Sequence, residues 1–248
     1  LDVEALAEAI AAAVARGLRP KLVYTIATFQ LPTGMSMSTD RRVRLLELAE
    51  QHQLVVIEDN VYYDLRYDGE APPTLLSMDT TGLVMQCDSF SKTVAPGLRL
   101  GWMAGHVDAI GGLAAVREDL GVSQLLARVM ARYLREGHHA TQVAAICDVY
   151  RVKRDAAVKA LHEHCGPFVS FREPEGSLFL WLKLSDGVDW DRAAEAVQAE
   201  GVFCRPGERF TGDASGARFL RLAFSLPTVE EIADGVKALG RALREAAS

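Results

Sequence analysis

The sequence predicts an α/β fold: a mostly parallel sheet with helices between its strands, followed by a smaller α+β unit. Three observations lead there. Short runs that are apolar throughout, such as Leu54-Val55-Val56-Ile57, are separated by helix-length segments, the pattern of strands buried on both faces. A helical stretch with few Gly or Pro residues then runs from Asp108 to about His164. Beyond it, short strands alternate with two helices, so the last third reads as a unit with its own core. The domain boundary is placed inside the helical stretch, giving residues 1–130 and 131–248.

Each element has its own signal. Residues 2–17 are Ala-rich at helical spacing, and Gly17 and Pro20 stop them. Lys21 to Ile26 (KLVYTI) is a β-branched, apolar strand, and Pro32-Thr33-Gly34 is a turn. Ser38 or Thr39 caps a helix to about His52, with Leu45, Leu46 and Leu48 on its apolar side. After the strand Leu54–Ile57 comes a loop through Pro72-Pro73. Leu83–Cys87 and Leu98–Ala104 are two more strands. In the last third, Val169–Phe171, Gly176–Leu184, Val202-Phe203 and Phe219–Phe224 read as strands, and 189–200 and 228–246 as helices.

Composition excludes several classes of function. The 248 residues include 27 Lys+Arg and 33 Asp+Glu, a formal net charge of −6, with 49% apolar and 24% charged residues. These are ordinary values for a folded chain, not for a disordered or low-complexity one. The acidic balance argues against non-specific nucleic-acid binding, and Arg41-Arg42-Val43-Arg44 reads as one exposed helix face. No uncharged apolar run is long enough to span a bilayer, and no signal-peptide pattern opens the chain. Cys87, Cys147, Cys165 and Cys204 form no CxxC pair, and the histidines have no ligand spacing, so neither a disulfide framework nor a metal is expected. A cytoplasmic protein is the default. The chain opens on Leu1, already inside a helix.

Three segments place polar residues at the ends of strands, where open α/β sheets bind ligands. The first is Val55-Val56-Ile57-Glu58-Asp59-Asn60-Val61-Tyr62, a strand followed by acids and a tyrosine. The second is Ser89-Phe90-Ser91-Lys92-Thr93-Val94-Ala95-Pro96-Gly97-Leu98-Arg99-Leu100-Gly101. The third is Arg221, a lone charge within Phe219–Phe224. Singly each has a plain reading: Asp59 as a helix cap, Lys92 as a surface lysine, Arg221 as half of an ion pair. Together and in this order they are informative.

Ser89-Phe90-Ser91-Lys92 followed by Pro96-Gly97-Leu98-Arg99-Leu100-Gly101-Trp102 resembles the lysine segment of fold-type-I pyridoxal-phosphate enzymes. More narrowly, it is similar to class I/II aminotransferases and to the aminotransferase-like domains of MocR-type regulators. Phe29-Gln30-Leu31-Pro32-Thr33-Gly34 resembles their Asn-Pro-Thr-Gly turn, Asp59 to Tyr62 their Asp-x-x-Tyr pair, and Glu175–Phe179 and Gly201–Phe210 their small-domain patterns. The resemblance runs across essentially the whole chain. It implies a large domain with a mostly parallel sheet, a small α+β domain, pyridoxal 5'-phosphate as cofactor and a homodimer.

It also implies roles. Lys92 would form the Schiff base with the cofactor aldehyde and then shuttle the proton, as a primary amine in a shielded site can. Asp59 would pair with the pyridine nitrogen and keep the ring an electron sink. Tyr62 would donate to the ring oxygen. Ser89, Ser91 and Arg99 would hold the phosphate. Arg221 would take the substrate α-carboxylate. Arg205 and Arg209 are weaker candidates for an acidic substrate side chain. Two departures stand out. Leu31 replaces the usual Asn, leaving Gln30 or Tyr62 to serve the ring oxygen. The family's glycine-rich phosphate loop and ring-stacking aromatic belong to a region before Leu1, so the intact protein is expected to extend N-terminally. The leading reading is an aminotransferase acting on an α-amino acid and a 2-oxo acid. The alternatives are the effector-sensing domain of a MocR-type regulator, another pyridoxal-phosphate reaction, or an inactive fragment.

Overall fold

The structure, a computed structural model, describes residues 1–119 and 121–247. The chain divides into two compact units. Leu1–Gln30, Met35–Asp64 and Glu70–Ala144 form the first; Leu31–Gly34, Leu65–Gly69 and the chain from Ala145 onward form the second.

In the first unit, α1 (Val3–Ala15) starts where the Asp2 carboxylate accepts the Glu4 and Ala5 N–H groups, a side-chain N-cap. The strands β1 (Leu22–Thr25), β2 (Val55–Asp59) and β3 (Val84–Ser89) pair in parallel, with α2 (Thr39–His52) and the short α3 (Leu75–Met78) in the crossovers. The fourth strand, β4 (Gly101–Gly105), runs antiparallel to β3. The connection of residues 90–100 is a tight return, without the helix that a parallel crossover normally carries. Val3, Ile10, Leu45, Leu48, Leu54, Val56, Leu75 and Val84 make the core between α1, α2, α3 and the sheet.

Two sequence expectations shift. The strand foreseen at Leu98–Ala104 starts only at Gly101, because Pro96–Leu98 forms a 3₁₀ turn and Arg99 adopts a left-handed conformation (φ 52°). The helical stretch breaks into α4 (Val107–Ala115), α5 (Gln124–Arg135) and α6 (His138–Cys165). Gly137 (φ 77°), directly after the Glu136 C-cap of α5, supplies the positive φ angle that ends a helix cheaply, and Gly121 (φ 81°) turns the chain between α4 and α5. The division between the two units falls inside α6.

The second unit holds an antiparallel sheet in the order β5 (Val169–Ser170), β6 (Phe179–Leu184), β8 (Phe219–Ala223), β7 (Arg205–Pro206). Helices α7 (Trp190–Ala199) and α8 (Val229–Ala246) complete it, and a Thr228/Glu231 capping box starts α8. Leu180, Leu182, Leu220, Leu239 and Leu243 are fully buried. A Cβ on Gly240 would lie 2.4 Å from the His164 carbonyl, so glycine is what lets α8 approach the end of α6. Val202-Phe203 is not a strand, contrary to its apolar character. The edge pairing falls on Arg205–Pro206 instead, and Phe203 is 77% exposed.

Candidate active site

The parallel register sets Asp59, the last residue of β2, beside Cys87 of β3, and Ser89 closes β3 opposite Gly101 of β4. Asp59 and the Ser89–Lys92 segment therefore emerge from the same carboxyl edge of the sheet. A Cβ on Gly101 would sit 2.7 Å from the Asp88 carbonyl, so only glycine allows the chain to return this closely.

Asp59 is held by two donors. Its Oδ1 accepts the Val61 N–H at 3.1 Å and its Oδ2 accepts the Tyr24 hydroxyl at 2.6 Å. Burial and then the Asp59 carboxylate push the Tyr24 phenol above its ordinary value, so it stays a donor at neutral pH. Tyr62 lies in the turn that follows β2. That turn is fixed by the Asn60 N–H to the Cys87 carbonyl (2.9 Å) and the Tyr63 N–H to the Asn60 carbonyl (2.8 Å). Burial pushes the neighbouring Cys87 thiol up to about 11, with the Asp59 and Asp88 charges adding to it, so it remains a thiol.

Lys92 is half-buried in a closed turn. The Val94 and Ala95 N–H groups donate to the Phe90 carbonyl at 2.9 and 3.1 Å, and the Phe90 N–H reaches back to Leu100 at 3.1 Å. The Ser89 and Ser91 hydroxyl oxygens are 2.9 Å apart, and the Ser91 N–H donates to Ser89 Oγ at 3.1 Å. Arg99 is exposed and donates one N–H to the Pro96 carbonyl at 3.1 Å. Asp88 precedes Ser89, accepts its N–H at 2.6 Å, and is pushed up to about 7 by burial, with Asp64 and Asp59 contributing as like charges.

The basic run read as an exposed face is corrected at Arg42, which is fully buried. Its Nη1 lies 3.5 Å from Glu58 Oε1, and its other donors reach the Met37, Ala27 and Pro73 carbonyls and Thr28 Oγ1. Glu58 also accepts the Leu75 and Leu76 N–H groups at 2.8 and 3.1 Å. Alternating side chains put Glu58 on the sheet face opposite its neighbour Asp59, so this network anchors the strand end from behind.

Arg221 lies in the second unit, on β8, with its guanidinium 4.7 Å from the Phe210 ring and 5.4 Å from the Phe179 ring. Register pairs it with Trp181 on one side and Arg205 on the other. Arg205 stands over the exposed Phe203 ring at 5.4 Å. Sequence reasoning named Glu58 without its partner Arg42 and missed Tyr24 and Asp88. Tyr24 is a strand away from Asp59, and only the pairing of β1 with β2 brings them together. Asp88, beside the named serine, was readable as an acid on a buried strand.

The sequence profile described as "Aminotransferase class I and II" matches residues 1–239. The aromatic-amino-acid aminotransferase 1 of Thermococcus litoralis is 35% identical over 247 residues, covering 99% of this chain and 59% of that protein. The structure resembles that of the Pyrococcus horikoshii kynurenine aminotransferase in complex with PMP (TM-score 0.91, 35% identity, 99% of this chain, 61% of that one). An uncharacterized HTH-type transcriptional regulator of Bacillus subtilis, YisV, is 31% identical over 226 residues, covering 90% of this chain and 46% of that protein. The chain thus spans about 60% of the aminotransferases it matches. With its profile match running from the first residue to Gly240's neighbour Leu239, the chain belongs to the class I and II aminotransferases.

Proposed function

We propose that the protein carrying this chain transfers an amino group between an α-amino acid and a 2-oxo acid. The observation that supports it best is the Ser89–Lys92 turn on the sheet edge that also carries Asp59. Family membership makes pyridoxal 5'-phosphate the cofactor. The donor set fits it: paired hydroxyls with a guanidinium suit a phosphate dianion, and a carboxylate already oriented by two donors suits a protonated ring nitrogen.

When bound, the cofactor supplies an electron sink for the carbanion left by loss of the substrate α-proton. Lys92 provides the primary amine that anchors the cofactor and then carries that proton. Asp59 holds a proton at the ring nitrogen, and Tyr62 donates to the ring oxygen. Ser89, Ser91 and Arg99 bind the phosphate. Arg221 orients the substrate through a forked pair of N–H groups on its α-carboxylate. A homodimer, implied by the sequence resemblance, and a cytoplasmic location, the default of the sequence reading, complete the proposal.

The test is an absorbance titration with pyridoxal phosphate, followed by borohydride reduction and peptide mapping. Label on Lys92, conversion by amino acids and return with a 2-oxo acid support the proposal. A Lys92→Ala protein that still forms a borohydride-reducible adduct at the active site, on some other amine, sinks it. The similarity to HTH-type regulators supports a second reading, an effector-sensing domain, and binding without conversion selects it.

A further inference from the structure

We propose that His139 is a positioning residue for Lys92, bracing the turn that carries the lysine from both of its sides. The inference rests on the reading of Lys92 just given. His139 stands in the first turn of α6, far from Lys92 in sequence, with its side chain 22% exposed. Its Nε2 lies 3.1 Å from Thr93 Oγ1, and its ring meets the Phe90 ring edge-on, with centroids 6.1 Å apart and an interplanar angle of 87°. Phe90 and Thr93 flank Ser91-Lys92, so a single imidazole touches the residues on either side. The Asp64 carboxylate lies 4.0 Å from the same Nε2 and limits how the ring can turn.

The geometry has a mechanical consequence. Thr93 is β-branched and buried, so fixing its Oγ1 fixes χ1 and the backbone beside the Lys92 carbonyl. Phe90 is held at its N–H by Leu100 and at its ring by His139. The lysine stem is flexible, so what the fold can set is the origin of that stem. A reacting group displaced by about 1 Å loses on the order of a hundredfold in rate. His139 acts on the position of Lys92 through Phe90 and Thr93, which its ring and Nε2 reach.

The test compares His139→Leu, His139→Gln, Thr93→Val and the double variant Thr93→Val/His139→Leu with the unaltered chain. Two quantities are read: amide hydrogen exchange of the Ser89–Ala95 peptide without cofactor, and the rate of borohydride-trapped pyridoxal phosphate attachment at Lys92. His139→Leu is expected to speed exchange in that peptide and to slow attachment, each by about tenfold, the worth of one hydrogen bond plus a ring contact. His139→Gln, whose amide reaches a similar point, stays within about threefold. Adding Thr93→Val to His139→Leu slows attachment by less than the two single effects combined, because both changes remove the same hydrogen bond. His139→Leu indistinguishable from the unaltered chain overturns the proposal. So does His139→Gln as impaired as His139→Leu, or faster exchange spread evenly over the sheet. If the unaltered chain traps no cofactor at Lys92, the reading of Lys92 fails, and hydrogen exchange alone still decides the brace.

Discussion

Tyr24 donates its hydroxyl proton to Asp59 Oδ2 at 2.6 Å, linking the end of β1 to the end of β2. The bond fixes one carboxylate oxygen while Val61 N–H fixes the other, so the plane of the Asp59 carboxylate is set before any ligand arrives. Tyr24→Phe is expected to weaken pyridoxal phosphate binding by about fivefold, below the range for a buried bond to a charged group, because Tyr24 is half exposed. The check is the same absorbance titration. An unchanged affinity would mean that Val61 alone orients the carboxylate.

Arg42 and Glu58 make a buried ion pair, and removing one partner leaves the other charge without compensation. Arg42→Leu is expected to lower stability by about 3–5 kcal/mol in urea denaturation. Glu58→Gln keeps an oxygen for the Leu75 and Leu76 N–H groups and is expected to cost clearly less. The double variant should be less damaged than the sum of the two, and full additivity would show that the pair is not coupled.

Asp88 gives a pH dependence with a definite sign. Its folded-state value, about 7, is above that of an unfolded aspartate, so between roughly pH 4 and pH 7 the folded state binds the extra proton. Its contribution is full below pH 4 and is lost as pH rises through 7. Asp88→Asn removes that titration while keeping an oxygen for the Ser89 N–H. The stability of Asp88→Asn relative to the unaltered chain should therefore rise from pH 5 to pH 7.5 and then level off. A gap that stays constant across this range would place Asp88 in a solvated site.

How much of this was readable from residues alone varies with distance along the chain. Asp59, Tyr62, Ser89, Ser91 and Lys92 follow apolar runs, and local pattern placed them at strand ends. The parallel pairing of β1, β2 and β3 was legible from apolar runs separated by helix-length segments. The burial on both faces that such runs suggest is not found: Leu22 and Tyr24 of β1 are exposed, and β2 alternates between buried and half-buried residues. The antiparallel turn of β4 was not, because it depends on how tightly residues 90–100 fold back. Arg42 illustrates the limit most sharply. Arg41 is exposed and Arg44 half-buried, and nothing local says that the middle of a basic run turns inward onto Glu58. Val202-Phe203 failed in the opposite sense: two apolar residues with no alternation carry no register, and pairing went to the next positions.

Arg221 and Arg205 sit directly opposite each other on β8 and β7, and like charges so placed repel unless an anion lies near them. The Arg221 guanidinium lies over the Phe179 and Phe210 rings, which restricts it and removes part of its hydration. Such a group is preorganised for a forked contact with a carboxylate. Arg221→Lys keeps the charge but has neither the plane nor the fork, and is expected to lower kcat/KM for an α-amino acid by about a hundredfold. Arg221→Gln should cost more, since it also removes the charge. Neither should change pyridoxal phosphate affinity by more than about twofold, because the proposed contact is with substrate alone. A parallel loss of cofactor affinity in both variants would reassign Arg221 to holding the small-domain sheet together rather than to binding substrate.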